Sequence, residues 1–127
     1  MKENRIIIKI RRPVSEVFDF TVTPGNTPKW IINIVEEKTN ELPVKLGTIY
    51  RIKNKGGVWT EYEVIEFELN KIFTLSQKGT DYKVRYTYKP IENGTELIYF
   101  EWSEKGELED PFSKSILNKL KSVMEQD

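Results

Sequence analysis

The chain has 127 residues, and its 20 Lys and Arg balance its 20 Asp and Glu, so the formal net charge at pH 7 is zero. This length is typical of a single domain, and a neutral chain creates no field that attracts phosphate, so we expect one domain and no nucleic-acid partner. Cysteine and histidine are absent, which excludes disulfides, thiolate nucleophiles, Cys/His zinc sites and histidine-dependent catalytic triads.

The N-terminal part is predicted to form one strand and two short helical elements. Isoleucines recur at alternate positions over residues 4–11, which predicts a half-buried strand. Pro13 ends that strand and suits the first turn of a helix of about two turns, which ends before Pro24. Residues 26–32 are predicted to form one more helical turn or an irregular cap.

Residues 33–103 have the pattern of an antiparallel meander, because short β-rich runs alternate with turn residues. Six strands are predicted here, at residues 34–39, 48–53, 58–68, 72–78, 82–90 and 95–103. The breaks between them, such as Gly56-Gly57 and Asn93-Gly94, are typical of hairpins. With the N-terminal strand, the predicted sheet has seven strands.

The chain closes with a predicted amphipathic helix of about 16 residues. Asp110 is the predicted N-cap and Pro111 the first helical residue. The apolar stripe of this helix comprises Phe112, Ile116, Leu117, Leu120, Val123 and Met124. Only the face of the sheet is a large enough apolar surface to bury that stripe. The predicted fold class is therefore α+β, with helices on one face of a curved antiparallel sheet.

Residues 12–20 read RPVSEVFDF and residues 24–30 read PGNTPKW, and short motifs follow at residues 46–50, 62–67 and 94–97. In their order and spacing these segments resemble the START-related superfamily, also called SRPBCC. That superfamily includes birch-pollen-allergen-like and polyketide cyclase/dehydrase-like proteins. The resemblance implies one START-like domain over residues 1–127 with a helix-grip fold, in which a seven-stranded antiparallel sheet (β-α-α-β6-α) wraps around the C-terminal helix.

Strand parity gives a candidate inner face for the sheet, on which Tyr82, Tyr86 and Tyr88 point toward the helix. A cavity between sheet and helix is the natural outcome of this layout. The predicted ligand-binding residues are Trp30, Tyr50, Ile52, Tyr62, Val64, Tyr82, Tyr86, Tyr88, Leu97, Tyr99, Glu101, Phe112, Ile116 and Leu120. Tyrosine combines an apolar body with a hydroxyl group, which suits a flat or lipid-like ligand. The alternative is that these are ordinary core residues, with Trp30 anchoring the short helices rather than capping the pocket.

Glu101 is the carboxylate of greatest interest, because parity places it on the inner face beside Tyr99. An inward carboxyl group can act as a general acid or base, so Glu101 and Tyr99 are the catalytic candidates. The alternative is a twist or bulge that leaves Glu101 at a solvated rim. No pattern predicts a metal site, a nucleotide site or any other cofactor.

The leading functional hypothesis is a protein that binds a small hydrophobic or amphipathic molecule, such as a lipid, polyketide or aromatic compound. One alternative is a cyclase- or dehydratase-like enzyme that uses Glu and Tyr, with Arg51 or Arg85 as a further partner, although parity points both arginines outward. The other, which the resemblance to the superfamily implies, is a co-chaperone-like interaction module or homodimer that uses the outer face of the sheet. Candidates for that face are Trp59, Phe67, Phe73 and Trp102.

The hydropathy pattern predicts the compartment. The only apolar run near the start is Ile6 to Ile8, too short for a secretory signal, and no run approaches the roughly twenty apolar residues that cross a bilayer. We therefore expect a cytoplasmic monomer or homodimer without integral membrane association.

Overall fold

The computed structural model describes residues 1–108 and 111–126. Two helices and seven strands follow one another in these residues, together with a 3₁₀ turn at Thr27–Lys29. The strands are β1 (Lys2–Ile10), β2 (Ile34–Thr39), β3 (Ile49–Asn54), β4 (Trp59–Glu68), β5 (Ile72–Gln77), β6 (Tyr82–Ile91) and β7 (Gly94–Ser103). The helices are α1 (Val14–Val22) and α2 (Lys114–Met124).

All seven strands form one antiparallel sheet in the order β1-β7-β6-β5-β4-β3-β2. Each strand from β2 to β7 therefore pairs with its neighbour in the chain, and β1 closes the order by pairing with β7. Both helices contribute to the same buried apolar cluster as the inner face of the sheet. The predicted fold class is confirmed, and the predicted second helical element is the 3₁₀ turn.

The C-terminal helix begins later than predicted. Its N-cap is Ser113, which has an extended backbone, and the helix has 11 residues. Pro111 therefore precedes the helix, and the predicted N-cap Asp110 lies outside the described residues. The backbone N–H of Phe112 donates a hydrogen bond to Glu101 on β7 at 2.8 Å. This contact holds the chain against the sheet before it can turn into the helix.

A bulge in β4 reverses the predicted parity at the end of that strand. The register of β4 against β5 shifts between Val64 and Glu66, so the residues beyond the bulge change face. Phe67 consequently packs edge-on against Phe18 of α1, with 5.5 Å between ring centroids. Phe73, on β5, is 1% exposed in the core. The expectation that Phe67 and Phe73 lie on the outer face is therefore wrong.

Candidate functional site

The inner face of the sheet carries every predicted binding residue that lies on a strand, but at two depths. The fully buried members of the predicted set are Trp30, Tyr50, Val64, Tyr86, Tyr88, Leu97, Tyr99, Glu101 and Leu120. The half-buried members are Ile52, Tyr62, Tyr82, Phe112 and Ile116. Tyr62 and Tyr82 lie close to the β3–β4 and β5–β6 hairpins, at one end of the inner face.

Two of the predicted tyrosines form hydrogen bonds with α1 and do not belong to this end of the inner face. The Tyr50 hydroxyl donates to the backbone oxygen of Val22, at the end of α1. The Tyr88 hydroxyl shares a hydrogen bond of 2.5 Å with Thr21, also on α1. Both hydroxyl groups thus have partners within the fold, and both side chains fix the helix to the sheet.

A connected group of polar and aromatic side chains occupies the other end. We use the name tyrosine cleft for this group of residues, in which four are half-buried and four are buried. The half-buried members are Tyr62, Gln77, Tyr82 and Phe112, and the buried members are Trp30, Tyr86, Tyr99 and Glu101. The Tyr62 hydroxyl donates to Gln77 on β5 over a long 3.5 Å, and the ring of Tyr99 stacks on Phe112 with 4.7 Å between centroids. Tyr86 packs edge-on against Tyr99 at 5.3 Å. The cleft therefore joins β4, β5, β6 and β7 to the segment that leads into α2.

Glu101 lies at the base of the tyrosine cleft and is 1% exposed, so the solvated-rim alternative is wrong. Its Oε2 atom accepts hydrogen bonds from Asn4 Nδ2 and from the backbone N–H of Phe112, each at 2.8 Å. Its Oε1 atom accepts one from the Tyr82 hydroxyl, also at 2.8 Å. Three donors thus satisfy a buried carboxylate, as burial of a charge requires. The same three bonds tie β1, β6 and the start of α2 to β7.

The tyrosines of the cleft are neutral hydroxyl groups at physiological pH. Burial, helped by the nearby Glu101 carboxylate, raises the pKa of Tyr62 to about 12. Burial also raises the pKa values of Tyr82, Tyr86 and Tyr99 above the ordinary value for tyrosine. A phenol with a raised pKa donates a hydrogen bond but does not act as a base near neutral pH. The tyrosines of the cleft therefore act as hydrogen-bonding groups, and the Tyr82 hydroxyl already donates to Glu101.

The indole N–H of Trp30 is a buried polar group. The residue follows the 3₁₀ turn, is 2% exposed, and lies edge-on to Phe112 with 6.3 Å between ring centroids. Its indole Nε1 is buried and has no hydrogen-bond partner in the part of the chain that the structure describes. Buried donors are nearly always paired, and an unpaired one is unfavourable by about 1–3 kcal/mol. An acceptor from outside the chain would remove this penalty.

Glu37 holds the turn that carries Trp30, and the sequence reasoning missed it. Its carboxylate accepts hydrogen bonds from the backbone N–H groups of Gly25 and Thr27 and from the Thr27 hydroxyl, at 2.8, 3.2 and 2.6 Å. Burial raises its pKa, and these three hydrogen bonds oppose that shift.

Asn4 and Gln77 were also missed, although both share the parity of inward residues on their strands. That parity was the available signal.

Both arginines considered for catalysis lie on the outer face, as parity predicts. Arg51 pairs with Glu61 at 3.5 Å, and Arg85 pairs with Glu66 at 2.9 Å. Neither contributes to the tyrosine cleft. Within residues 1–108 and 111–126, no group of three or more acidic side chains is placed to hold a metal ion.

A groove of about 610 Å³ lies at the opposite end of the sheet. It runs between α1, the β2–β3 loop and the β4–β5 turn, and Phe18, Val22, Val44 and Phe67 form much of its lining. None of the predicted binding residues lines it, so it is separate from the tyrosine cleft.

Comparison with known proteins places this architecture in a family. Residues 5–126 match the family described as polyketide cyclase / dehydrase and lipid transport. No curated protein matches the chain in sequence. In the described residues, no helix has the length and apolar character needed to cross a membrane.

Several solved structures share the fold at low sequence identity. The Aha1 dimer from Colwellia psychrerythraea superimposes with a TM-score of 0.75 at 14% identity, covering 98% of this chain and 97% of that chain. A protein from Chromobacterium violaceum gives 0.72 at 15% identity, with 98% of each chain covered. A polyketide cyclase-like protein from Corynebacterium glutamicum gives 0.60 at 23% identity, covering 80% of this chain and 65% of that chain. At such identities the likeness establishes the fold alone.

Proposed function

The chain belongs to the polyketide cyclase / dehydrase and lipid transport family, and from that premise we propose that it binds a small hydrophobic or amphipathic molecule in the tyrosine cleft. The ligand has an apolar body, which contacts the half-buried aromatic rings of the cleft. It also has at least one acceptor atom, because the indole N–H of Trp30, which has no partner among the described residues, can only donate. Lipids, polyketides and aromatic carbonyl compounds meet both requirements.

The indole N–H of Trp30, which has no partner within residues 1–108 and 111–126, is the observation that carries this proposal. A buried donor without a partner is retained at a cost in stability, and a bound acceptor offsets that cost. The long hydrogen bond between Tyr62 and Gln77 is consistent with it, since 3.5 Å is at the limit of such a bond and both groups can turn toward a ligand.

The enzymatic alternative has weaker support in the geometry. A cyclase or dehydratase that uses Glu101 needs this carboxylate free to exchange a proton with substrate. Both of its oxygens instead accept hydrogen bonds from within the chain. Binding without turnover therefore remains the better proposal.

A pair of tryptophan substitutions at adjacent residues tests the binding site. Gln77 faces the cleft and Ser76 faces outward, so Gln77→Trp fills the cleft whereas Ser76→Trp leaves it open. We expect the apolar dye N-phenyl-1-naphthylamine to fluoresce with the wild type and with Ser76→Trp, and to lose about tenfold or more in affinity for Gln77→Trp. Equal affinity of all three proteins would contradict the proposed site.

Native mass spectrometry of protein purified from its own cells identifies the ligand class. We expect an additional non-covalent mass on the wild type, with lower occupancy in Trp30→Phe, which lacks the indole N–H. The matched control is Trp102→Phe, at a half-buried tryptophan that lies under Arg85 on the outer face, and it should retain wild-type occupancy. Loss of occupancy in both variants would show that Trp30 has no special role in binding.

A further inference from the structure

Exposed apolar side chains cluster at the end of the sheet beside the tyrosine cleft. Ile32 is 70% exposed, Val35 50%, Val58 57% and Trp59 36%. They come from residues 29–35, around the start of β2, and residues 51–59, which form the β3–β4 hairpin. We call these two segments together the basic tip.

The two segments of the basic tip lie side by side. The backbone N–H of Lys55 donates to the Asn33 carbonyl oxygen at 3.0 Å, and Ile34 pairs with Asn54 across β2 and β3. The two segments that carry the exposed apolar residues are therefore adjacent in the fold.

The basic tip has a positive charge in a chain whose net charge is zero. Its cations are Lys29, Arg51, Lys53 and Lys55, and neither segment contains an acidic residue. Arg51 and Lys53 lie over the Trp59 ring at 4.9 and 5.7 Å from its centroid, and Lys38 of β2 lies there at 5.6 Å. The neighbouring acids Glu36 and Glu61 pair with Lys38 and Arg51. Lys29, Lys53 and Lys55 form no ion pair with the residues that the structure describes.

We propose that the basic tip docks the protein onto an anionic lipid bilayer. Lysine and arginine side chains are attracted to an anionic membrane surface, while tryptophan and aliphatic side chains insert at the interface between headgroups and acyl chains. The tip combines both kinds of side chain. Trp30 of the cleft lies within the first segment, and Tyr62 follows the second by three residues, so docking brings the cleft close to the membrane. This last step rests on the proposed function.

Charge and composition favour a bilayer over other occupants. Two copies of this chain that met through the basic tip would bring four cations against four cations, which is unfavourable. A nucleic acid would use the cations but would leave Ile32 and Val58 without apolar contacts.

The opposite end of the sheet provides an internal control. It also exposes leucines, with Leu69 71% exposed. Residues 40–48 and 66–71 of that end, however, contain three acidic residues and two lysines, so they have no excess of positive charge. Anionic lipids should therefore not bind there.

Vesicle co-sedimentation tests the docking. The full chain is mixed with vesicles of phosphatidylcholine alone, or of phosphatidylcholine with about 30 mol% phosphatidylglycerol. We expect the wild type to sediment with the anionic vesicles only, and to be released when salt is raised from about 0.1 M to about 0.5 M. Equal sedimentation with both vesicle types, or with neither, would overturn the proposal.

Substitutions of exposed residues locate the contact. We expect Lys53→Gln/Lys55→Gln to lower partition into anionic vesicles by about tenfold or more. Ile32→Ser/Val58→Ser should also lower it, through loss of insertion. The control Leu69→Ser/Lys71→Gln, at the opposite end, should bind as the wild type does. If the control partitioned into anionic vesicles as weakly as the tip variants do, the assignment would be overturned. It would also be overturned if the wild type formed a dimer in solution and the tip variants were monomers, because the tip would then bind a second copy of the chain.

The failure of docking and the failure of ligand binding are distinguishable. The tip variants should bind N-phenyl-1-naphthylamine as the wild type does when no vesicles are present, because they leave the tyrosine cleft intact. Gln77→Trp should lose the dye but still sediment with anionic vesicles. If no variant changes the affinity for the dye, the proposed function is contradicted. If the wild type shows no preference for anionic vesicles, the docking proposal is contradicted.

Discussion

The side chain of Glu101 accepts hydrogen bonds from residues as far away in the chain as Asn4. Glu101→Gln replaces one acceptor oxygen by an NH₂ group, which then faces a donor, and removes the charge that strengthens the other bonds. We expect this variant to lose about 2 kcal/mol in the free energy of unfolding, measured by urea denaturation. The amide proton of Phe112 should also exchange faster with solvent.

The exposed Glu104 provides the control, and Glu104→Gln should change the free energy of unfolding by less than about 0.5 kcal/mol. A Glu101→Gln variant of wild-type stability that lost turnover of an identified substrate would contradict the structural role. The carboxylate would then be catalytic.

All six tyrosines have raised pKa values in the folded chain, chiefly because each is buried. In the unfolded chain a tyrosine titrates near about pH 10. The stability due to neutral phenols is therefore fully present below about pH 10 and is lost as the pH rises through the folded pKa values, the lowest of which is about 12, for Tyr62. We expect almost no phenolate absorbance at pH 10 from the folded protein, and ionisation of about half of the tyrosines at that pH in urea. A tyrosine that ionises at pH 10 in the folded state would contradict this burial.

The site was predictable where a residue's direction follows from strand parity. The inward positions of Tyr82, Tyr86 and Tyr99 are of this kind, and the structure buries or half-buries all three. The hydrogen-bond partners of Glu101 were not predictable, because Asn4 and the Phe112 backbone reach it only through the pairing of β1 with β7 and the path of the chain before α2. A single sequence contains no signal for contacts at such separations.

At the level of the elements, Gly94 is the first residue of β7 and lies beside the end of β1. A Cβ atom at Gly94 would lie 2.2 Å from the backbone oxygen of Ile10, a distance that only backbone movement can relieve. We expect Gly94→Ala to lower the free energy of unfolding by at least about 2 kcal/mol, visible as a lower thermal midpoint. Gly56→Ala is the control, since its Cβ would meet only a side-chain atom, Asn54 Oδ1, at 3.3 Å. Similar losses for both variants would refute the steric argument.

The sequence predicted all seven strands and both helices, because alternation and turn residues are local signals. It failed where an element departs from a regular period. The bulge after Val64 moved Phe67 to the inner face. The helix α2 begins at Lys114, later than predicted, because Phe112 forms a hydrogen bond with β7. Both departures depend on tertiary contacts, which local patterns do not contain.

For the whole molecule, the end of α2 is fastened to the end of β1. Glu125 accepts hydrogen bonds from Lys121 Nζ at 2.7 Å and from the Arg11 backbone N–H at 2.8 Å, and these contacts hold its pKa at about 2, below the usual 4.5. The stability that Glu125 contributes is therefore present above about pH 4.5 and is lost as the pH falls toward 2.

We expect Glu125→Gln to lose about 1 kcal/mol in the free energy of unfolding at pH 7, after allowance for solvent screening, and the difference from the wild type to vanish near pH 2. Urea denaturation at several pH values measures it. Glu107→Gln, which removes only an exposed pair with Lys2 at 3.8 Å, should show no such pH dependence. A loss at Glu125 that is constant with pH would contradict the charge-based account.

The neutral total charge also conceals an uneven distribution. The net charge of zero, taken over the whole chain, argued against a polyanionic partner. Residues 29–35 and 51–59 nevertheless contain four cations and no acidic residue. The predicted meander makes β2 and β3 neighbours, but the register that places residues 29–35 beside residues 51–59 comes from the structure.

The pairing of β1 with β7 has a consequence for synthesis on the ribosome. Strands β2 to β7 can pair in the order in which they emerge, but β1 must wait for β7, whose Ser103 pairs with Lys2. Until then the isoleucines of β1 are exposed on an unpaired strand, the kind of segment that aggregates in incomplete chains. Arg5 precedes these isoleucines and Lys9 lies between Ile8 and Ile10. Their charges oppose aggregation of β1 until β7 has been synthesised. The strand that closes the sheet is thus also the segment of a nascent chain most in need of protection.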